Sequence, residues 1–417
     1  MQITNGVSLY CLKTKKFKDI GISIRFRNEL KQEHAAARSL LALMLVDRCQ
    51  VYDTKQKMST KQDSLYGATL YAQTVGFGKD QLIELRSKII NPMYVGKDST
   101  LLQDAFDFLK EVLFAPMLTT EVFEENKTIL LSKIHRMEDD PAFYVMNESL
   151  KQVAIGKPLS TSAFGTIEDV LLLTLDDVKK EYEHMIRKDM VDILVCGDVE
   201  EEEIKEIITT CFTFDAREAL EDCWYCVETD EEARVITQKK RISQTNLMMT
   251  WFTHTSITDA DYYALKVATA ILGQFSTSLL FQEVREKRSL CYSIGANLIS
   301  FDGVMAVTTG IEQEHIDETV ALIQKQVTRV YTQDFDDHLL EVTKKMIITN
   351  LKANNDSMGS MVSLAYNHLI LHRNETTQDL IDKIAVVTKE DVAKAMQKCE
   401  YKLCFILTKE DEDETDC

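Results

Sequence analysis

The sequence predicts an α+β protein of two similar domains, each a largely antiparallel sheet with helices packed on one side. Three observations lead there. At 417 residues the chain exceeds what one core comfortably organises. Alternating apolar segments sit between stretches of helical spacing. Those segments then recur, in the same order, about half a chain later.

In the first half, Ile20, Ile22, Ile24 and Phe26 alternate with Gly21, Ser23 and Arg25, the pattern of a strand with one buried face. The apolar helix ARSLLALMLVDR follows. SLYGATLYAQTVGFG from Ser64 parallels SLCYSIGANLISFDG from Ser289. LLQDAFDFLKEVLF from Leu101 parallels ETVALIQKQVTRVY from Glu318, both helical in spacing. ENKTILLSKI from Glu125 parallels VTKKMIITNL from Val342. Closing each half, the segments starting at Thr174 and Thr388 open with a Thr N-cap and an Asp three residues on, then end in an apolar strand. In the second half NLMMTWFTH precedes the helix DYYALKVATAILGQF. The expected division is 1–215, an acidic linker at 216–234, and 235–417, with KEDEDETDC as a solvated acidic tail.

Composition removes several functions. A formal charge of -19 without a concentrated basic patch disfavours nucleic-acid binding. The longest apolar runs, such as LLALMLV, are far too short to insert into a membrane. The first residues, MQITNGVSLYCLKTKK, carry no signal-like apolar core, so a cytoplasmic location is expected. The ten cysteines are scattered, as reduced thiols are. CWYC at Cys223 and Cys226 has metal or redox spacing but no second pair to complete a site. His368 and His372 lie one helical turn apart without a carboxylate in that turn, and His34 beside Glu33 belongs to the turn before the first helix.

LLFQEVREKRSLCYSIGA, residues 279–296, gives a more specific indication. Arg285, Glu286, Lys287, Leu290 and Tyr292, led by Gly273, Ser278, Leu280 and Phe281, resemble the second domain of M16 (pitrilysin or insulinase type) zinc peptidases. The resemblance covers nearly the whole chain and implies the M16, LuxS/MPP-like fold. Active members carry His-x-x-Glu-His on the first long helix, with a further glutamate downstream. Here those positions fall on Ser39, Ala42, Leu43 and, near the downstream site, Lys133. A slip of one turn would bring Glu125 or Glu138 there, but would restore no histidine. The resemblance therefore implies no metal and no other cofactor in this chain. In the family the arginine and tyrosine hold substrate carbonyls and the developing oxyanion, which makes Arg285 and Tyr292 the candidate catalytic pair. The chain is similar to metal-less partner subunits of bacteria, one type of which is associated with elongation factor P modification. That implies a zinc-bearing homologue as partner, an extended peptide as substrate, and a surface on which the isolated chain could self-pair. The competing expectation is a scaffold or peptide-binding protein of the same fold.

Overall fold

The computed structural model describes residues 1–96 and 99–410, so the expected acidic tail beyond Glu410 lies outside the described residues. The first sheet comprises β1 (Gln2–Thr4), β2 (Val7–Lys13), β3 (Asp19–Glu29), β4 (Thr69–Phe77), β5 (Asp80–Ile90) and β6 (Met190–Gly197), ordered β1-β2-β6-β3-β5-β4. The second comprises β7 (Arg234–Lys240), β8 (Thr245–Phe252), β9 (Cys291–Ile299), β10 (Val304–Ile311) and β11 (Glu400–Lys409), ordered β7-β11-β8-β10-β9. With β1 set aside, the two orders match strand for strand. In each, one parallel pair, β2 with β6 or β7 with β11, joins an otherwise antiparallel sheet. The expected α+β architecture with two sheet-containing halves is what the chain adopts.

The repeat is also visible at the helix starts. Thr174 and Thr388 cap the helices Leu175–Lys188 and Lys389–Gln397 reciprocally with Asp177 and Asp391, and these helices lead into β6 and β11. Two further boxes, Thr166 with Asp169 and Thr376 with Asp379, form a second matched pair. Each cap satisfies two backbone donors that would otherwise lack partners.

Two compact units are built on these sheets. One takes in Met1–His135, Thr161–Cys223 and Asn354–His372; the other takes in Arg136–Ser160, Trp224–Ala353 and the chain from Arg373 onward. A contiguous division at 216–234 omits this exchange, in which each unit includes a short segment from the far half of the sequence.

That exchange decides what covers the first sheet. Ile20, Ile22, Ile24 and Phe26 of β3 face an apolar core with Leu40, Leu41 and Leu45 of the helix Gln32–Asp47. The opposite face was expected to meet solvent, yet Ser23, Arg25 and Arg27 are buried too. The helix Met358–Ile370 lies over this face. Its Tyr366 ring sits 4.0 Å from the Arg25 guanidinium and packs edge-on to Phe77. In the second unit the helix Pro141–Val153 packs against β8 and β11 in the same manner.

Glu84 organises the charges beneath Tyr366. It accepts from Ser23 at 2.7 Å and from Gln73 at 3.0 Å, and pairs with Arg25 and Arg86, both at 2.7 Å. Burial works against its charge, but Arg25 and Arg86 prevail and hold the carboxyl below its ordinary value. Asp192 is different. Burial pushes it up to about 6 against the partial pull of Arg27 and Arg25, and one of its oxygens has no hydrogen-bond partner.

Two outcomes are expected. Glu84→Gln strands two guanidiniums and should cost about 3 kcal/mol in denaturant unfolding. A change within a few tenths would refute the shared-carboxylate account. For Asp192 the unfolded carboxyl titrates near pH 4 and the folded one at about 6, so the folded chain holds its proton longer. Stability from this group is full below about pH 4 and lost as pH rises through about 6. Asp192→Asn should therefore unfold at higher denaturant than the native chain at pH 7.5, by about 1–2 kcal/mol, with the gain vanishing near pH 4. An equal gain at both pH values would contradict this.

Candidate functional site

Arg285 and Tyr292 come together in the second unit at a helix-to-strand junction. The helix Tyr262–Gly273 ends where Gly273 meets β9, and a Cβ there would come within 2.6 Å of the Ala296 nitrogen. Glycine permits that approach. The chain then forms one wide π-type turn, Phe281–Glu286. Val284 is fully buried and anchors the turn. Ser289 adopts a left-handed φ of 55°, with the amides of Ser289 and Leu290 donating to the carbonyls of Arg285 and Val284 at 3.0 and 3.1 Å. The left-handed conformation is uncommon outside glycine, so packing around Val284 and Leu290 must sustain it.

The consequence is a stacked pair. The Arg285 guanidinium lies 4.5 Å from the Phe281 ring centre and 5.2 Å from that of Tyr292. Its nearest carboxylate, Glu286, is 3.6 Å away. Tyr292 is 82% exposed on β9, the edge strand of its sheet. The phenol therefore faces solvent, and the stacked guanidinium beside it is held by rings more than by ion pairing. Such a pair can offer hydrogen bonds to a carbonyl or an oxyanion.

The positions that the resemblance assigns to a metal have another use. Ser39 and Ala42 are buried, and Leu43 packs against the apolar core. The Ser39 hydroxyl lies 3.0 Å from that of Thr74 and donates to the Ala163 carbonyl at 3.1 Å. Gln81 donates to the same carbonyl at 2.6 Å. Gly165 is pressed so closely on the helix Gln32–Asp47 that a Cβ would come within 2.6 Å of the Ala36 Cβ. Lys133 sets its ammonium 5.0 Å from the ring centre of Phe164. The backbone around 163–165 thus packs over the first helix. A hydroxyl already in use, a methyl, an isobutyl group and an ammonium do not fit a zinc ion. Glu125, an alternative two turns away in the same helix, pairs with Arg48 and Lys55. Among the described residues, no group of three or more histidines, cysteines or carboxylates is arranged to hold a metal.

Polar residues near that helix serve the fold. Arg38 is 0% exposed and pairs with Glu181 at 2.9 Å and Asp189 at 2.8 Å, while His34 meets Glu181 at 3.1 Å. This network went unforeseen; an arginine amid ARSLLALMLV was its one visible sign. Burial pushes the Cys223 thiol up to about 12 and raises that of Cys226, so neither favours the thiolate that metal or redox chemistry needs. His372 pairs with Asp222 at 3.3 Å. Among the described residues, no helix is long and apolar enough to cross a membrane.

The two sheets share one strand order, and the first helix carries Ser39, Ala42 and Leu43 at the positions that the resemblance assigns to a metal. A family profile described as "Peptidase M16 inactive domain" matches residues 172–347. "Probable inactive metalloprotease YmfF" of Bacillus subtilis is 26% identical over 96% of both chains. "Non-peptidase homolog YmxG" of Helicobacter pylori is 24% identical over 70% of this chain and 69% of its own length. A conserved protein of Enterococcus faecalis V583, known from its crystal structure, superposes with a TM-score of 0.93 at 26% identity over 99% of both chains. The chain is thus similar, over nearly its whole length, to an M16-type protein named as inactive, and over its middle part to the M16 inactive-domain profile.

Restoring the family residues should not restore a metal site. Ser39→His, Ala42→Glu and Leu43→His together place bulky polar groups where side chains are buried and neighbours close. The triple variant is expected to melt several degrees lower and to hold no stoichiometric zinc by elemental analysis. One zinc per chain at an unchanged melting temperature would overturn this.

Proposed function

We propose that the chain is the metal-less subunit of a two-chain M16-type zinc endopeptidase. In this reading Arg285 and Tyr292 bind and orient an extended peptide at the zinc of a homologous partner. The observation that carries it is the contrast between the two halves of the expected site. Ser39 and Ala42 are buried, with the Ala163 carbonyl closed on the Ser39 hydroxyl, whereas the arginine and tyrosine stack at a junction and present the phenol to solvent. Donors held rigidly where negative charge develops are often worth several kcal/mol of barrier. Water activation falls to the partner, since Ser39, Ala42 and Leu43 offer no general base at the positions that the resemblance assigns to the metal.

Relatives named as inactive or non-peptidase proteins also suit a second reading, a scaffold or peptide-binding protein without a part in catalysis. Copurification from the source cells separates the two. The first reading expects a bound homologue with an intact His-x-x-Glu-His motif and chelator-sensitive peptide cleavage. In the reconstituted pair, Arg285→Ala or Tyr292→Ala should each lower kcat/KM about 100-fold with assembly unchanged. Undiminished cleavage by both variants would leave the binding or scaffold reading.

A further inference from the structure

A cleft of about 420 Å³ opens on the first unit, where the helix Met358–Ile370 begins over the sheet. Three strands supply its base: Gly21 and Ser23 of β3, Arg86 and Lys88 of β5, and Thr69 and Tyr71 of β4. Lys88 pairs with Gly21 and Thr69, and Arg86 with Ser23 and Tyr71, so all six share one face. Met358 and Val362 stand over them. At Gly21 a Cβ would collide with the Met358 sulfur, so glycine sets how closely the helix approaches. The volume is within the range of small-ligand pockets.

The second unit shows what the fold alone requires at this position. There the helix Pro141–Val153 begins over β8 and β10, the counterparts of β3 and β5, and the cavity is about 80 Å³. Asn246 pairs with Gly310 there, as Gly21 pairs with Lys88 in the first unit. Among the described residues, no charged side chain lines the smaller cavity. Room and charge therefore arise together in one copy of a duplicated plan, and the packing of helix on sheet needs neither.

The charges of the larger cleft have one sign. Among the described residues, Arg86 and Lys88 line it and no carboxylate does. Glu84 lies behind the base and is shared by Arg86 and the buried Arg25, so neither guanidinium has a carboxylate of its own. Lys88 has Asp19 at 3.3 Å, both substantially exposed, and an exposed pair of that kind is weak and exchangeable. Of the five N–H donors of a guanidinium, Arg86 directs one to Tyr71 at 3.3 Å and one to Glu84, which leaves others for a further acceptor. A planar carboxylate matches that fork. The remaining lining is apolar, with Met358, Val362 and the Tyr71 ring, and methionine adapts readily to a flexible chain.

We propose that the cleft binds a free medium-chain carboxylic acid, its carboxylate at Arg86 and Lys88 and its aliphatic chain along Tyr71, Met358 and Val362. Such a ligand touches both the sheet and the helix that covers it, so its binding steadies residues 358–370 on the first unit. The site does not rest on Arg285 and Tyr292, which belong to the second unit, and it needs no partner chain.

The test is calorimetric titration of the full chain with decanoate, kept below its micelle-forming concentration. One molecule per chain should bind at neutral pH and raise the melting temperature. Decan-1-ol keeps the aliphatic chain without the charge, and acetate keeps the charge without the chain; each should bind about tenfold more weakly or worse. Gly359→Leu should weaken decanoate about tenfold by filling the cleft, since a Cβ at Gly359 lies 3.9 Å from an Arg86 nitrogen without a clash. Lys88→Glu alters an exposed side chain and should weaken it by a similar factor at an unchanged melting temperature. Absence of saturable decanoate binding, or equal affinity for decan-1-ol, would overturn the proposal. So would native affinity in Lys88→Glu, or in a Gly359→Leu variant of native melting temperature. Tighter binding of decyl phosphate than of decanoate would overturn the assignment to a carboxylate.

Discussion

Tyr366 over Arg25 is the contact on which the first unit depends. Placing a guanidinium inside a protein costs several kcal/mol of lost hydration, and β3 carries two, with Arg86 beside them on β5. Glu84 offsets part of that cost through four partners, and the Tyr366 ring excludes water from above. Neither arrangement is useful without the other. An uncovered sheet would leave a charged face in water with no reason for Tyr366 to dock; an unneutralised sheet would repel the apolar helix. Because residues 25 and 366 are far apart in the chain, this closure is a non-local contact, whose loop entropy must be met before the contact rewards folding.

This distance also explains what could be read from the sequence. The duplicated order, the Thr–Asp caps and the strands at 19–29 and 69–77 were legible because each is set by a local period or a three-residue spacing. Ser23 and Arg25 read as a solvent face because alternation says only that two faces differ. It does not say that a helix from residue 358 will cover the polar one. Arg38 was equally opaque, since Glu181 and Asp189 lie far along the chain. The candidate pair was legible as a pair, seven residues apart, but its stacking was not. That follows from the wide turn at Phe281–Glu286, a local change of helix winding without a sequence rule.

Losing metal ligands and losing a metal site are different events. Ligands disappear by substitution; a site disappears when neighbours close on the smaller side chains. Here the carbonyl of Ala163 accepts from both Ser39 and Gln81, and Gly165 meets Ala36 at a distance that tolerates no side chain. Interiors packed at crystal-like density do not reopen for larger groups without strain. The first helix is thus packed as a structural element.

The second unit shows the contrary economy. β9, like β4, is a nine-residue edge strand without charge or proline, in a chain whose formal charge is -19. With that many acidic residues available, an unguarded edge is an avoidable hazard in a free monomer. The far edges, β1 with three residues and β7 with Arg234, Lys239 and Lys240, have the usual protection. The hazard is thus confined to the two strands that bear Tyr71 and Tyr292, and in each unit the strand left without gatekeepers is the one that presents an exposed tyrosine beside an arginine. Chance exposure of one edge would need no explanation, but the same asymmetry in both copies of a duplicated domain does. An edge open to another extended segment is what the proposed peptide binding would require of both copies.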